Sequence, residues 1–212
     1  IFRIDQEDLY VYEKKRKGYR YQSDTEPFHI ITESVLVKDS DPITIEMKFT
    51  RHGPVIYETK RHAFALRAAW LEPGMAPYFG SIEYMGATNF RSFVAALNRW
   101  GAPSENQVYA DIDGNIGYKP AGRFPKRNNW DGLLPVPGDG SYEWDGYFDM
   151  DTLPIEYNPA RGYVGTANSM NLPLDYPIED FKIGFEWSAP WRYQRNMEVL
   201  SNDSLLYTSD AA

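Results

Sequence analysis

The stretch QVYADIDGNIGY (Gln107–Tyr118) is the strongest turn signal in the chain. Strand-forming residues lie on both sides of Asp113-Gly114-Asn115, and an Asp-Gly pair tolerates the positive φ angles of a tight turn. The stretch therefore predicts a β-hairpin. A calcium loop is the weaker interpretation, because the glycine is at the fourth position rather than the sixth and Gly122 stands where a Glu would be needed.

Several more segments on either side of this hairpin are predicted to be extended. Apolar and polar residues alternate with period two in the clearest of them, which is typical of half-buried strands. The predicted strands are Asp8–Glu13, Phe28–Val37, Ile43–Phe49, Thr50–Ile56, Ala63–Trp70 and Gly162–Thr166.

Two segments have helical spacing. Residues 89–100 place apolar side chains on one face, with Asn89 as the N-cap and Gly101 after the last turn. A second amphipathic helix is predicted to begin near Pro190. Residues 123–162 are rich in Pro, Gly and aromatic residues, which predicts loops with short strands. The mixture indicates an α+β fold.

Composition narrows the functional classes. The chain has 212 residues, with 22 Lys and Arg against 30 Asp and Glu, so its net charge is −8. An acidic chain without a basic stripe is a poor candidate for nucleic-acid binding. No apolar run approaches the roughly 18–20 residues of a membrane helix, so no membrane partner is expected. The absence of Cys excludes disulfide scaffolds, thiolate zinc sites and cysteine nucleophiles.

Common catalytic motifs are absent from the sequence. The three histidines, His29, His52 and His62, do not have metal-ligand spacing. There is no Gly-x-Ser-x-Gly elbow and no glycine-rich phosphate loop.

Three polar residues near the end of the chain are candidates for a site. Asn168 follows a predicted strand, where its side chain could donate to a developing oxyanion or simply turn the chain. Arg192 and Arg195 share one face of the last predicted helix. From spacing alone, an exposed cationic face is the favoured interpretation of both arginines.

The acidic run Asp5-Gln6-Glu7-Asp8 allows two interpretations. Its carboxylates and the carbonyl between them could surround a hard cation that prefers oxygen ligands. A solvated acidic turn has the same composition.

Taken in order, many short motifs resemble the penicillin amidase (penicillin acylase) family. The resemblance covers nearly the whole chain, and it is the ordered series that makes it specific. The motifs are Thr50–Val55, Asn106–Tyr118, Gly122–Pro125, Leu134–Gly138, Trp144–Gly146, Asn158–Val164, Thr166–Asn168 and Arg192–Arg195.

The resemblance implies an N-terminal-nucleophile amidohydrolase with a four-layer αββα sandwich, to which residues 1–212 contribute one partial domain of the β subunit. In this family a precursor cuts itself and exposes a serine whose own α-amino group serves as its base. Substrates are N-acyl compounds such as penicillins and acyl-homoserine lactones. The resemblance also implies an α subunit from the same precursor and a periplasmic or secreted location.

Residue by residue, the resemblance assigns roles to several positions. Asn168 matches the oxyanion-hole asparagine. Arg192 matches an arginine of the active-site network, with Arg195 as the substitute if the register slips. His52 belongs to a structural motif and is not expected to be catalytic.

A structural Ca²⁺ site is implied in the same way. Asp5 and Asp8 match paired carboxylate ligands, Glu7 a carbonyl ligand, Asp180 a third carboxylate and Gly132 a further backbone carbonyl. The acidic-surface interpretation stays open beside it.

The ends of the chain suggest a piece of a longer polypeptide. Ile1 has no hydroxyl to act as the nucleophile, and Thr208-Ser209-Asp210-Ala211-Ala212 has the composition of a helix start. This chain alone is therefore expected to be inactive and poorly stable.

Two alternatives from other classes remain at this point. The aromatic content of 16% suits a carbohydrate-binding module. A glycosidase with paired carboxylates ranks last, because no pair stands out among the acidic residues.

Overall fold

The computed structural model describes residues 4–75 and 81–202. Their contacts divide them into two compact units. The first, which we call the helical unit, takes in the described residues of Ile1–Asp5, Pro73–Phe124 and Tyr147–Ala212. The second, the sheet unit, consists of Gln6–Glu72 and Pro125–Gly146.

Strands predominate over helices in the described residues. The strands are β1 Glu7–Lys15, β2 Gly18–Tyr21, β3 Asp24–Glu26, β4 His29–Val35, β5 Ile43–Thr50, β6 Gly53–Glu58, β7 His62–Ala68, β8 Glu105–Ala110, β9 Ile116–Ala121, β10 Pro125–Arg127, β11 Val136–Pro137, β12 Trp144–Tyr147 and β13 Glu156–Tyr157. The helices are α1 Ser81–Tyr84, α2 Phe90–Leu97, α3 Ile178–Phe181 and α4 Trp191–Leu200, with 3₁₀ turns at Ala69–Leu71 and Met150–Thr152.

The sheet unit is built on an antiparallel sheet with the strand order β3-β2-β1-β7-β6-β5-β4. β11 adds to β1 in parallel through Tyr10 and Val136. Strands near Asp8–Glu13, Phe28–Val37, Ile43–Phe49 and Ala63–Trp70 are confirmed, with small differences at their ends.

The central strand β1 buries alternate side chains. Asp8, Tyr10 and Tyr12 all lie inside, as the period-two geometry of a strand requires. The carboxylate of Asp8 is therefore carried into the interior by the same alternation that buries the two tyrosines.

The β5–β6 turn carries His52 into the interior. Thr50 pairs with Gly53 across this turn. Gly53 has φ +137°, and a Cβ added there would lie 2.1 Å from the carbonyl oxygen of Leu66. Only glycine fits this close approach without moving the backbone.

The hairpin predicted around Gly114 is confirmed in the helical unit. β8 and β9 pair from Glu105↔Ala121 to Ala110↔Ile116, and β13 extends the sheet beside β9. Within the turn, Asp111 Oδ1 accepts hydrogen bonds from the backbone N–H groups of Asp113 and Asn115. Asp111 is thus used to hold the turn.

Helix α2 is also confirmed and anchors the core of the helical unit. Asn89 and Ser92 form a reciprocal capping box at its start. Its buried residues Phe90, Phe93 and Leu97 pack with the following core residues from the rest of the unit: Ile4, Trp100, Ala121, Phe124, Met150, Leu153 and Ile183.

The predicted strand at Gly162–Thr166 is wrong. Gly162 closes a turn by donating to the carbonyl of Pro159, and residues 163–166 have no strand partner. Gly165 instead lies close to Met197 of α4, where an added Cβ would be 2.6 Å from the methionine methyl group. Helix packing therefore sets the path of this segment.

The described residues do not confirm the four-layer αββα sandwich. They agree with a mixed fold in which sheet predominates, and α2 and α4 have 8 and 10 residues. The short strands within residues 123–162 are confirmed, as is the helix near Pro190. The predicted helix start at Thr208 lies outside the described residues. Across 4–75 and 81–202, no helix has the length and apolarity to cross a membrane.

Candidate active site

Asn168 occupies an unusual backbone position in the helical unit. Its φ is +61°, the left-handed region that asparagine tolerates better than most residues. The backbone N–H of Ser188 donates to the Asn168 carbonyl at 2.8 Å. Asn168 is therefore fixed by a neighbouring segment although it belongs to no strand.

Arg192, in the first turn of α4, holds the Asn168 side chain. Its Nη2 donates to Asn168 Oδ1 at 2.9 Å and to the Ala167 carbonyl at 3.0 Å. Because a guanidinium can only donate, the amide atom that faces it must be the oxygen. The donor end of the amide is thereby directed away from Arg192, as an oxyanion donor requires.

Both residues border an open cavity of about 570 Å³. Its lining comprises Asn106, Thr166, Ala167, Asn168, Trp191, Arg192, Arg195 and Asn196. The cavity can admit a small molecule against the amide of Asn168. Hydrogen-bond donors aimed at the oxygen of a carbonyl under attack are a large part of acyl-transfer catalysis.

Arg195 also borders the cavity but has different contacts. Its side chain is 65% exposed and pairs with Glu198 at 2.8 Å, three residues further along α4. The contact to Asn168 is made by Arg192.

Asn106 is a cavity residue that the sequence did not single out. The hydroxyl of Tyr118 donates to Asn106 Oδ1 at 2.7 Å, and Asn171 Nδ2 bonds to the same hydroxyl. Burial raises the pKa of Tyr118, so this hydroxyl keeps its proton at neutral pH. Asn106 lies inside a family motif, but no spacing rule points to its side chain.

The residues predicted to bind calcium divide between the units. Asp5 and Asp180 belong to the helical unit, where the backbone N–H of Asp5 donates to the Ile183 carbonyl at 2.7 Å and Asp180 is an exposed residue of α3. Glu7 and Asp8 belong to the sheet unit. Gly132 lies in a loop of that unit with φ +90°.

The donor set around Asp8 does not fit a calcium ion. Asp8 forms a buried ion pair with Arg127, whose Nε lies 2.7 Å from Oδ2. In the part of the chain that is described, no group of three or more His, Cys, Asp or Glu side chains could hold a metal. The calcium site implied by the resemblance stays a prediction, and the contacts of Glu7 and Asp8 count against it.

His52 is a buried side chain of the sheet unit. Its ring stacks on Tyr10 with centroids 3.8 Å apart, and it bonds to the hydroxyl of Tyr12 and, through Nε2, to Glu143 at 2.9 Å. Burial lowers the pKa of His52, which favours the neutral ring. This cluster joins β1, the β5–β6 turn and the loop before β12.

An asparagine whose amide oxygen is held by an arginine at the edge of a cavity is chemically able to donate through its nitrogen to an oxygen that develops negative charge, as acyl-transfer chemistry needs. Comparison with known proteins supports this class. A family profile described as penicillin amidase matches residues 1–211, and the chain belongs to that family.

Curated relatives include acylases with two stated specificities. The acyl-homoserine lactone acylase QuiP of Pseudomonas fluorescens (strain Pf0-1) is 32% identical over 208 residues, covering 92% of this chain and 25% of that protein. The penicillin G acylase of Escherichia coli is 34% identical over 184 residues, covering 85% of this chain and 21% of that protein. The chain thus spans about a quarter of the length of these relatives.

A solved structure supports the same fold. A thermostable penicillin G acylase from Alcaligenes faecalis matches with a TM-score of 0.73 and 23% identity, covering 92% of this chain and 37% of that chain. These matches give no support to the carbohydrate-binding or glycosidase alternatives.

Proposed function

We propose that this chain supplies the oxyanion-binding part of an amidohydrolase that cleaves the amide bond of N-acyl compounds. The observation that carries the proposal is the Arg192–Asn168 hydrogen bond beside the cavity. Family membership supplies the reaction class, since the relatives named above are acylases.

In the proposed reaction, a serine hydroxyl supplied from outside this chain attacks the amide carbon of the substrate. The α-amino group of the same serine takes the hydroxyl proton and gives it to the departing amine as the C–N bond breaks. Negative charge develops on the carbonyl oxygen, and the Asn168 side chain donates to it. Water then releases the acid from the acyl-enzyme.

Arg192 has a positioning role in this proposal. It holds Oδ1 of Asn168, so that the amide does not need to reorient when the oxyanion forms. Preorganised donors of this kind lose no free energy to reorganisation during the reaction.

The substrate class is proposed from the relatives' names, which cover penicillin G and acyl-homoserine lactones. An α subunit from the same precursor and a periplasmic or secreted location belong to the same proposal. We also propose that the 212-residue chain is inactive by itself, because the nucleophile lies outside it.

The test is release of acid and amine by the full-length protein from phenylacetyl amides and from acyl-homoserine lactones. Hydrolysis of either class is expected, with Asn168→Ala strongly impaired. The 212-residue chain assayed alone should release nothing. A full-length protein that hydrolyses neither class would contradict the proposal.

A matched control separates site effects from general damage. Asn129 is an exposed asparagine of the sheet unit that donates to the Ser141 carbonyl. Asn129→Ala should keep the activity of the unmodified protein. Equal losses in Asn129→Ala and Asn168→Ala would remove the support for an oxyanion role.

A further inference from the structure

Asp8 is a buried carboxylate whose two oxygens are both hydrogen-bonded. Oδ2 accepts from Arg127 Nε at 2.7 Å and from the indole N–H of Trp144 at 2.5 Å. Oδ1 accepts from the indole N–H of Trp130 at 3.2 Å. The side chains of Asp8 and Arg127 are only 1% and 3% exposed.

The same guanidinium reaches the residue before Asp8. Nη2 of Arg127 donates to the backbone carbonyl of Glu7 at 3.2 Å. Arg127 therefore contacts the Glu7 carbonyl and the Asp8 carboxylate together. These are two of the oxygen groups that the family resemblance assigns to calcium, along with the Asp5 carboxylate.

We propose that the guanidinium of Arg127 takes the place of a metal ion at Glu7 and Asp8, so that this chain binds no calcium through these two residues. Arg127 supplies the positive charge that a buried carboxylate needs, together with directed donors. The site is a permanent internal ion pair.

Coordination chemistry supports this assignment. Calcium takes about 6–8 oxygen ligands at about 2.3–2.6 Å, and most are carboxylate or carbonyl oxygens. Bringing it to Asp8 would displace Arg127 and leave a cation buried without its partner, which is costly.

A second cationic side chain, Arg67, also lies against Trp144. The guanidinium of Arg67 lies over the Trp144 ring at 4.3 Å from its centroid, and that of Arg127 is 6.0 Å from the same centroid. Positive charge is thus already present around the indole that donates to Asp8. A divalent cation would add repulsion with both arginines.

The direct experiment uses the unmodified full-length protein. Crystals grown in about 20 mM calcium would nearly saturate even weak sites with dissociation constants of about 10⁻⁴–10⁻³ M. The expected structure has Arg127 Nε on Asp8 and no calcium peak there in an anomalous difference map. A calcium ion bridging the Glu7 carbonyl and Asp8 would overturn the proposal.

A thermal denaturation experiment tests the ion pair itself. Arg127→Gln removes the internal cation and is expected to lower the Tm by several degrees, in excess EDTA as well as in calcium. Arg161→Gln is the matched control, because Arg161 pairs with Glu156 at the surface and exposed pairs contribute little. Equal Tm values for the two variants would also overturn the proposal.

Discussion

The contact between Arg192 and Asn168 leads to a quantitative prediction for a pair of substitutions. Asn168→Ala removes one oxyanion donor, which typically lowers kcat by about 10²–10³-fold. Arg192→Ala keeps that donor but removes the bond that orients it. Loss of the orienting Arg192 should therefore lower kcat less than loss of the donor Asn168.

The size of the Arg192 effect follows from its hydrogen bonds. A hydrogen bond to a charged group contributes about 1.5–3 kcal/mol, and tenfold in rate corresponds to about 1.4 kcal/mol. The bond at 2.9 Å to Asn168 Oδ1 is partly exposed to water, so its contribution is at the lower end. Arg192→Ala is expected to lower kcat by about tenfold.

The double variant decides whether the two residues act through one interaction. If Arg192 works only by orienting Asn168, the double variant should have the kcat of Asn168→Ala alone. Independent roles would multiply the losses to about 10³–10⁴-fold, and that result would contradict an orienting role for Arg192. Steady-state kinetics on one N-acyl substrate measures all four proteins, with Arg161→Ala as a surface control.

Three further predictions concern stability. Burial lowers the pKa of His52 in the folded state, so the unfolded chain binds the proton more readily. The free energy of unfolding should therefore fall as the pH drops below about 6.5. Denaturant unfolding at several pH values should show that this free energy depends less on pH in His52→Gln. Gly53→Ala should lower the free energy of unfolding by about 1–3 kcal/mol. A Cβ added at Gly162 meets no atom within 4 Å, so Gly162→Ala should lower it less in the same assay. Leu97→Ala should cost about 2–5 kcal/mol, since Leu97 is fully buried in the α2 core, and a loss under 1 kcal/mol by chemical denaturation would contradict that packing.

Local signals in the sequence predicted the elements that are stabilised by contacts between residues close in the chain. The α2 helix carries its own cap at Asn89, and the β8–β9 hairpin carries its own turn around Asp111 and Gly114. Both elements are where these residues predict them. The stabilising contacts join residues a few positions apart, so a local sequence pattern is enough to predict each element.

Contacts between distant segments could not be predicted in this way. The segment Gly162–Thr166 was predicted to be a strand, but it has no strand partner and its Gly165 lies against Met197 of α4. Arg127 and Asp8 are 119 residues apart, and nothing near either one indicates the ion pair. The roles proposed for Asn168 and Arg192 rest on the family resemblance, because their positions in the sequence alone also fit an ordinary turn and an exposed helix face.

A structure of the full-length protein bound to a covalent analogue of the tetrahedral intermediate would show directly whether Asn168 binds the oxyanion. We expect Asn168 Nδ2 to lie about 2.7–3.1 Å from the analogue's oxyanion, with Arg192 still bonded to Oδ1. An oxyanion bound by other groups, with Asn168 turned away from it, would contradict an oxyanion role for Asn168.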